Sequence, residues 1–254
     1  MLKDSSNVIK SFQDNIQKSK DECGNKLADI RDLSYNFFHC FGSFADGNTF
    51  ERFKDSLVFW WYVESTEISV YTLYLSYCGL YRNAFDNIRH VLESIVQALY
   101  IDVNHPNTSL QTKLEILKEI EDKREYHASR LLQEKLSFKS EFCEGLDCKG
   151  ALNTSYKDLS KIVHPSHKKV IATIRDAVGL SKNKGLSELV DCGEVARVFD
   201  SLKIVYDVFY VLVLTEFPDF LPFMKNDKDF VACVKKYELS TLGKVLSSTR
   251  IKSK

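Results

Sequence analysis

Helix-breaking residues are scarce in this chain, which has only 4 prolines and 10 glycines among 254 residues. Both residues weaken or end helices, so their scarcity leaves room for long uninterrupted ones. A strand is an alternative only near residues 68–75, where aromatic and β-branched residues cluster, but helical spacing of apolar residues continues on both sides. We therefore expect an all-α fold, a multi-helix bundle with a long N-terminal helical arm.

Long apolar runs and an excess of one charge are also missing. The longest strongly apolar uncharged run covers residues 68–81, 14 residues, whereas a bilayer span needs about 20. The N-terminus lacks the apolar segment of a signal peptide. Lys and Arg total 35, as do Asp and Glu, so net charge gives no argument for nucleic-acid binding by the whole chain. We predict no membrane partner and a cytoplasmic location.

The seven cysteines are odd in number and scattered along the chain. We therefore expect no disulfide framework. Cys40, Cys78 and Cys233 lie among apolar residues and are predicted to be small buried side chains.

The first forty residues have a narrow apolar seam with steps of three and four, interrupted at Ser19 and Lys26. This pattern predicts a long helix that either docks on its own domain or joins a second chain. We divide the chain into a helical arm (1–44), a helical bundle core domain (45–224) and a C-terminal amphipathic helix with a basic tail (225–254). The last part contains eight Lys or Arg and three Asp or Glu residues.

A polar stripe runs along a predicted helix that is otherwise apolar. Its members are spaced four, three, four and four: Arg82, Asp86, Arg89, Glu93 and Gln97. Arg89 and Glu93 can pair within the helix. The stripe is either a solvated face with ion pairs or the border of a cleft in which the Arg89 guanidinium binds a phosphate.

The stretch "YKDLSKIVHPSH" at 156–167 reads as a helix end followed by a new helix start. Pro165 disfavours helix at the residue before it, which places His164 at a terminus. Lys157 and Lys161 share a face with His164, and Ser166 can cap the next helix. This arrangement suits an anion. Alternatively, His164 only interacts with the last carbonyls of its own helix.

A zinc site is a further alternative for this stretch. Cys143, Cys148, His164 and His167 follow a C-x4-C-x15-H-x2-H spacing. The histidine spacing is shorter than in a two-cysteine, two-histidine site, and Pro165 interrupts the helix that should hold both histidines. We therefore predict no metal and no cofactor.

The stretches "YRNAFDNIRHVLES" and "YKDLSKIVHPS" together resemble prokaryotic all-α proteins of the HEPN superfamily and their abortive-infection-like relatives. The resemblance spans about residues 50–178. It implies a four- or five-helix bundle that is often dimeric. Many members are metal-independent endoribonucleases of defence and toxin–antitoxin systems, and others are non-catalytic nucleotide-binding or partner-binding modules.

The resemblance implies an RNA site in which His164 is the general acid–base and Lys157 and Arg89 stabilise charge. The family places an arginine before the histidine with four to six residues between them; here no arginine lies in that window, and Lys157 stands six intervening residues before His164. The residues expected to bind ligand are Arg82, Glu93, Tyr156, Ser160, Lys161 and Ser166. The alternative function is a non-catalytic interaction module that forms a homodimer through the N-terminal arm or binds a partner protein.

Overall fold

The computed structural model describes residues 5–44, 51–120, 148–163 and 190–247, together with residues 123, 127, 130 and 131. These residues form helices and no strand, which confirms the all-α multi-helix bundle with a long N-terminal helix. None of the helices described in these ranges is long and apolar enough to cross a membrane. The helices are α1 (Ser5–Phe44), α2 (Leu57–Tyr77), α3 (Tyr81–Asn104), α4 (Leu110–Ile120), α5 (Cys148–Val163), α6 (Cys192–Glu216), α7 (Phe220–Asn226), α8 (Lys228–Lys236) and α9 (Ser240–Ser247).

α3 lies at the centre of the bundle, where it packs against α2, α5 and α6. Its apolar residues recur at steps of three and four and form one broad buried face. That face includes Ala84, Phe85, Ile88, Val91, Leu92, Ile95, Val96 and Leu99. The polar stripe predicted from the sequence runs along the same helix. Two of its members, Arg89 and Glu93, are only partly exposed.

α1 packs against α2 and α6, and its seam is buried in the same core as theirs. The buried seam residues are Cys23, Leu27, Ile30, Leu33, Phe37 and Cys40. The seam therefore passes through Leu27 and not through Lys26, which is exposed. Ser19 is buried, and its hydroxyl donates to the Tyr77 carbonyl at 2.8 Å. Over residues 19–40 the seam is docked on its own chain.

Local hydrogen bonds explain where α2 ends and where α6 begins. Gly79 has a φ of 76°, and the amides of Leu80 and Gly79 bond the carbonyls of Leu75 and Ser76 at 2.9 and 3.3 Å. This is the Schellman arrangement, in which glycine best tolerates the left-handed conformation. The Asp191 side chain accepts from the amides of Gly193 and Glu194, as an acidic N-cap does.

The C-terminal region differs from a single amphipathic helix because the chain turns between α8 and α9. Glu238 has a φ of 53°, and the amides of Leu239 and Glu238 bond the carbonyls of Val234 and Lys235. This repeats the Schellman arrangement with a non-glycine residue. Residues 248–254, which include most of the predicted basic tail, lie outside the described residues.

A disulfide joins Cys23 of α1 to Cys192, the first residue of α6, across 169 residues of sequence. The sequence argues against a disulfide framework and does not predict this single disulfide. Cys40, Cys78 and Cys233 are free and buried, as predicted. Burial raises the pKa of the Cys233 thiol to about 12, so this side chain behaves as an inert apolar group.

Candidate functional site

The seam between α3 and α5 brings together the two sequence stretches that carry the resemblance. Arg89 of α3 donates from Nε and Nη2 to Glu93 Oε1 at 3.0 and 2.8 Å. The Arg89 guanidinium carbon lies 5.4 Å from the centroid of the Tyr156 ring of α5. The ion pair is largely shielded, since the Arg89 and Glu93 side chains are 16% and 28% exposed. Arginine, carboxylate and phenol therefore form one cluster.

α5 presents the other half of this cluster because of its helical spacing. Tyr156 and Ser160 are four residues apart and lie on one face, one turn from each other. Leu159 between them is 2% exposed and anchors α5 in the core. The Ser160 hydroxyl oxygen is inaccessible to solvent. Four predicted site residues, Arg89, Glu93, Tyr156 and Ser160, are thus brought together.

The protonation states in the cluster follow from burial and neighbouring charges. Burial lowers the pKa of Arg89, but the hydrogen bonds and charge of Glu93 outweigh it, so the pKa is raised overall. Burial raises the pKa of the Tyr156 phenol, the Glu93 carboxylate raises it further, and Arg89 and Ser160 oppose the rise. The cluster at neutral pH therefore contains a charged guanidinium beside a neutral phenol that can donate a hydrogen bond.

Three further predicted residues lie at the surface. Lys157 and Lys161 are on the exposed side of α5, and Lys161 Nζ pairs with Asp158 Oδ1 at 2.8 Å. Arg82 is exposed in the first turn of α3, seven residues before Arg89. All three cations are exposed, unlike Arg89.

His164 and Ser166 lie outside the described residues. His164 follows directly on Val163, the last residue of α5. The zinc alternative also lies outside them, because Cys143, His164, His167 and the side chain of Cys148 are not described. Within the described ranges, no group of three or more His, Cys, Asp or Glu could hold a metal ion.

Sequence reasoning missed a second polar cluster, which joins α2, α3 and α4. Asp102 is 1% exposed and accepts from Ser56 Oγ, the amides of Leu57 and Val58, and Lys113 Nζ, at 2.7 to 3.1 Å. All four donors bind one carboxylate. The cluster therefore links α2, α3 and α4 and has a structural role. A signal was present, because Asp102 and Lys113 each occupy a position on the apolar face of a helix.

A groove of about 510 Å³ lies between α1 and the start of α8, lined by His39, Pro222, Phe223, Asn226 and Asp227. His39 Nδ1 is 3.9 Å from Asp227 Oδ2. The other oxygen of Asp227 accepts from the Phe230 amide at 2.9 Å and caps α8. This carboxylate therefore has a structural role, and the groove is a weaker candidate than the α3–α5 seam.

Comparison of the chain with protein-family models, with curated proteins and with solved structures found no match in any of the three.

Proposed function

We propose that this protein is a HEPN-like helical bundle of a defence or stress system that binds RNA at the α3–α5 seam. The contact of Arg89 with Tyr156 is the observation that carries the proposal. The two stretches that resemble the superfamily are more than sixty residues apart in the sequence. Their contact supports the proposal that both stretches contribute to a single site.

The exposed lysines of α5 supply the first contact with the RNA backbone, because cations near phosphates raise affinity without reading sequence. Arg89 supplies a fork of N–H donors suited to phosphate oxygens. Glu93 holds that fork in a fixed orientation, and the Tyr156 ring lies beside it. Binding would therefore weaken with salt and depend on Arg89.

In the catalytic form of this proposal, the RNA 2′-hydroxyl attacks the adjacent phosphorus. His164 takes the proton from that hydroxyl and returns one to the leaving 5′-oxygen. Lys157 and Arg89 stabilise the negative charge on the phosphorane. The products are a 2′,3′-cyclic phosphate and a 5′-hydroxyl, and no metal enters any step. Because Lys157 lacks arginine's bidentate geometry, we expect slow cleavage.

A fluorescently labelled single-stranded RNA tests both forms in buffer containing EDTA. Anisotropy reports binding, and gel analysis reports cleavage and the cyclic phosphate end. We expect His164→Ala to bind RNA but not cut it, and Arg89→Gln to bind about tenfold more weakly because a charged hydrogen-bond donor is lost. Equal cleavage by the wild type and His164→Ala would exclude catalysis by this histidine.

Arg52→Gln is the matched control. Arg52 also pairs with a carboxylate, Asp219, at 2.6 Å and also lies over an aromatic ring, that of Phe53, at 5.0 Å. It precedes α2 and is not part of the α3–α5 seam. RNA binding should be unchanged in this variant. A wild-type chain that shows no RNA affinity at low salt would contradict the proposal as a whole.

A non-catalytic interaction module is the second candidate function. Over residues 19–40 the α1 seam is covered by its own chain, so dimerisation through the seam would have to use the preceding part of α1, where Ile9 is 60% exposed. The observation that favours this candidate is on α2, whose exposed side is rich in aromatic and aliphatic residues.

A further inference from the structure

α2 carries bulky apolar residues on its exposed side as well as on its buried side. Its buried side includes four small hydroxyl residues, Ser65, Ser69, Thr72 and Ser76, which donate to the carbonyls four residues before them. These hydroxyls need no partner from another helix. In the C-terminal half of α2 the buried side is formed largely by these small residues, while Val70, Tyr71 and Tyr74 are exposed.

The exposed side of α2 carries five large apolar residues in two groups, one at each end of the helix. Val63, Val70, Tyr71 and Tyr74 are 47%, 59%, 53% and 58% exposed, and Trp60 is 38% exposed. With 3.6 residues per turn, these residues fall within an arc of about 100°. A helix that is apolar on all sides is normally buried on all sides, and exposed apolar patches mark interaction sites. We call residues Trp60, Val63, Val70, Tyr71 and Tyr74 the α2 face.

Two aromatic residues of the α2 face are held in place within the chain. Trp60 Nε1 donates to the Lys54 carbonyl at 2.8 Å, and the Tyr71 hydroxyl donates to Glu67 Oε1 at 2.9 Å. Fixed aromatic side chains lose little conformational entropy when a partner binds. The face is therefore organised before any partner arrives.

The charges on the α2 face are of one sign. Glu64 and Glu67 are the only charged residues of α2, both are exposed, and they lie along the same arc as the apolar residues. Among the described residues, no Lys or Arg forms an ion pair with either of them. A partner that covers this face must supply positive charge at its middle, since burying an unpaired carboxylate is costly.

We propose that the α2 face binds an amphipathic helix of another protein that presents Lys or Arg between aliphatic anchors. A helix in this position would place apolar side chains against Trp60 and Val63 at one end and against Val70 and Tyr74 at the other. Its basic residues would meet Glu64 and Glu67. A second copy of this chain fits less well, because an antiparallel pair of α2 helices centred on Glu67 would bring like charges together.

The test uses the full chain and three synthetic 18-residue peptides. One is an amphipathic Leu/Lys helix, one has the same pattern with Glu in place of Lys, and one is a scramble of the Leu/Lys composition. Isothermal titration calorimetry should show binding of the Leu/Lys helix only. Val70→Ser/Tyr74→Ser should abolish it. Glu64→Gln/Glu67→Gln should weaken it about tenfold and reduce its salt dependence.

Ile204→Ser is the matched control. Ile204 is an apolar residue of α6 that is 45% exposed and lies outside the α2 face. This variant should bind the Leu/Lys helix as the wild type does. Circular dichroism confirms that each variant is folded. Equal binding of the Leu/Glu or scrambled peptide, or no binding of the Leu/Lys helix, would overturn the proposal. The proposal would also be overturned if the wild type formed a dimer that Val70→Ser/Tyr74→Ser abolishes. The same holds if the wild type bound phosphatidylcholine vesicles and this variant did not.

Discussion

Aspartate side chains cap several helix N-termini in this bundle. Some aspartates directly precede the helix that they cap, and others lie in a distant part of the chain. Asp191 and Asp227 cap the helices that follow them directly. Asp207 of α6 accepts from the amides of Thr241 and Leu242 at 2.9 and 2.7 Å, and so caps α9 from a distant part of the chain. The free amides of a first turn carry partial positive charge, so an ionised carboxylate satisfies them well.

Asp102 is the most demanding of these carboxylates because its partner Lys113 is buried as well, at 3% exposed. Asp102→Ala would leave an unpaired buried ammonium and two amides without acceptors. We expect a loss of about 3–5 kcal/mol in the free energy of unfolding. Asp102→Ala/Lys113→Met should lose less than the sum of the two single variants, because the second change removes the unpaired charge. Urea unfolding followed by circular dichroism measures all three.

Asp200→Ala, at an exposed position of α6, is the control and should change stability by less than about 0.5 kcal/mol. Additive losses in the Asp102 and Lys113 variants would show that the two side chains do not interact in solution, against the 2.9 Å contact.

Contacts between residues close in the sequence could be predicted, and contacts between distant ones could not. The Arg89–Glu93 pair and the Asp191 cap follow from spacing alone, since helix geometry fixes which residues meet. The position of Tyr156 against Arg89 depends on how α5 packs on α3, which no local pattern encodes. Asp102 has a visible signal, a charge on an apolar face, but its partner 11 residues away belongs to a different helix.

α2 shows how an element can be predicted while its orientation is not. Its helical character is clear from the sequence, yet residues of similar hydropathy occupy all of its sides, so periodicity does not say which side is buried. Small residues decide it, because they allow close approach of neighbouring helices. α2 and α3 are the most extensively packed pair of helices in the described part of the chain.

Ser69 is 2% exposed, and its hydroxyl hydrogen-bonds the hydroxyl of Tyr206 of α6, a fully buried side chain. Ser69→Leu would add bulk where there is no space and would remove the partner of a buried phenol. We expect a loss of about 2–4 kcal/mol in the free energy of unfolding, seen as a lower thermal midpoint. Val70→Leu, one residue away on the exposed side, should shift it by less than about 0.5 kcal/mol. Similar shifts for both variants would contradict the assigned orientation of α2.

The boundary between α8 and α9 could not be predicted from the sequence, because it depends on backbone conformation and on contacts with distant residues. The turn between α8 and α9 depends on Glu238 in a left-handed conformation that glycine usually adopts. Without glycine the sequence continues a helical pattern, and one helix is the natural interpretation. Tertiary contacts, including the cap from Asp207 on α9, stabilise the break.

At the scale of the whole molecule, the sequence predicts a long N-terminal helix but not the surface on which it docks. A seam of apolar residues has the same spacing whether it meets its own chain or another. Here Leu27, Ile30, Leu33 and Phe37 share a core with α2 and α6, and the Cys23–Cys192 disulfide links α1 to α6. Disulfides are rare in reducing cytosol, so this link weighs against the predicted cytoplasmic location.

The depth of α1 in the core leads to a prediction about truncation. Removal of residues 1–10 deletes only a helix end, and we expect a cooperative thermal transition close to that of the full chain. Removal of residues 1–44 deletes six buried apolar side chains of the core, including Leu27, Ile30, Leu33 and Phe37. Losing one such side chain typically costs about 2–5 kcal/mol, and a domain has only about 5–15 kcal/mol in total. The longer truncation should therefore show no cooperative transition by calorimetry. A folded, cooperative 45–254 fragment would instead establish residues 1–44 as a separate arm, and would return the α1 seam to consideration as a surface for a second chain.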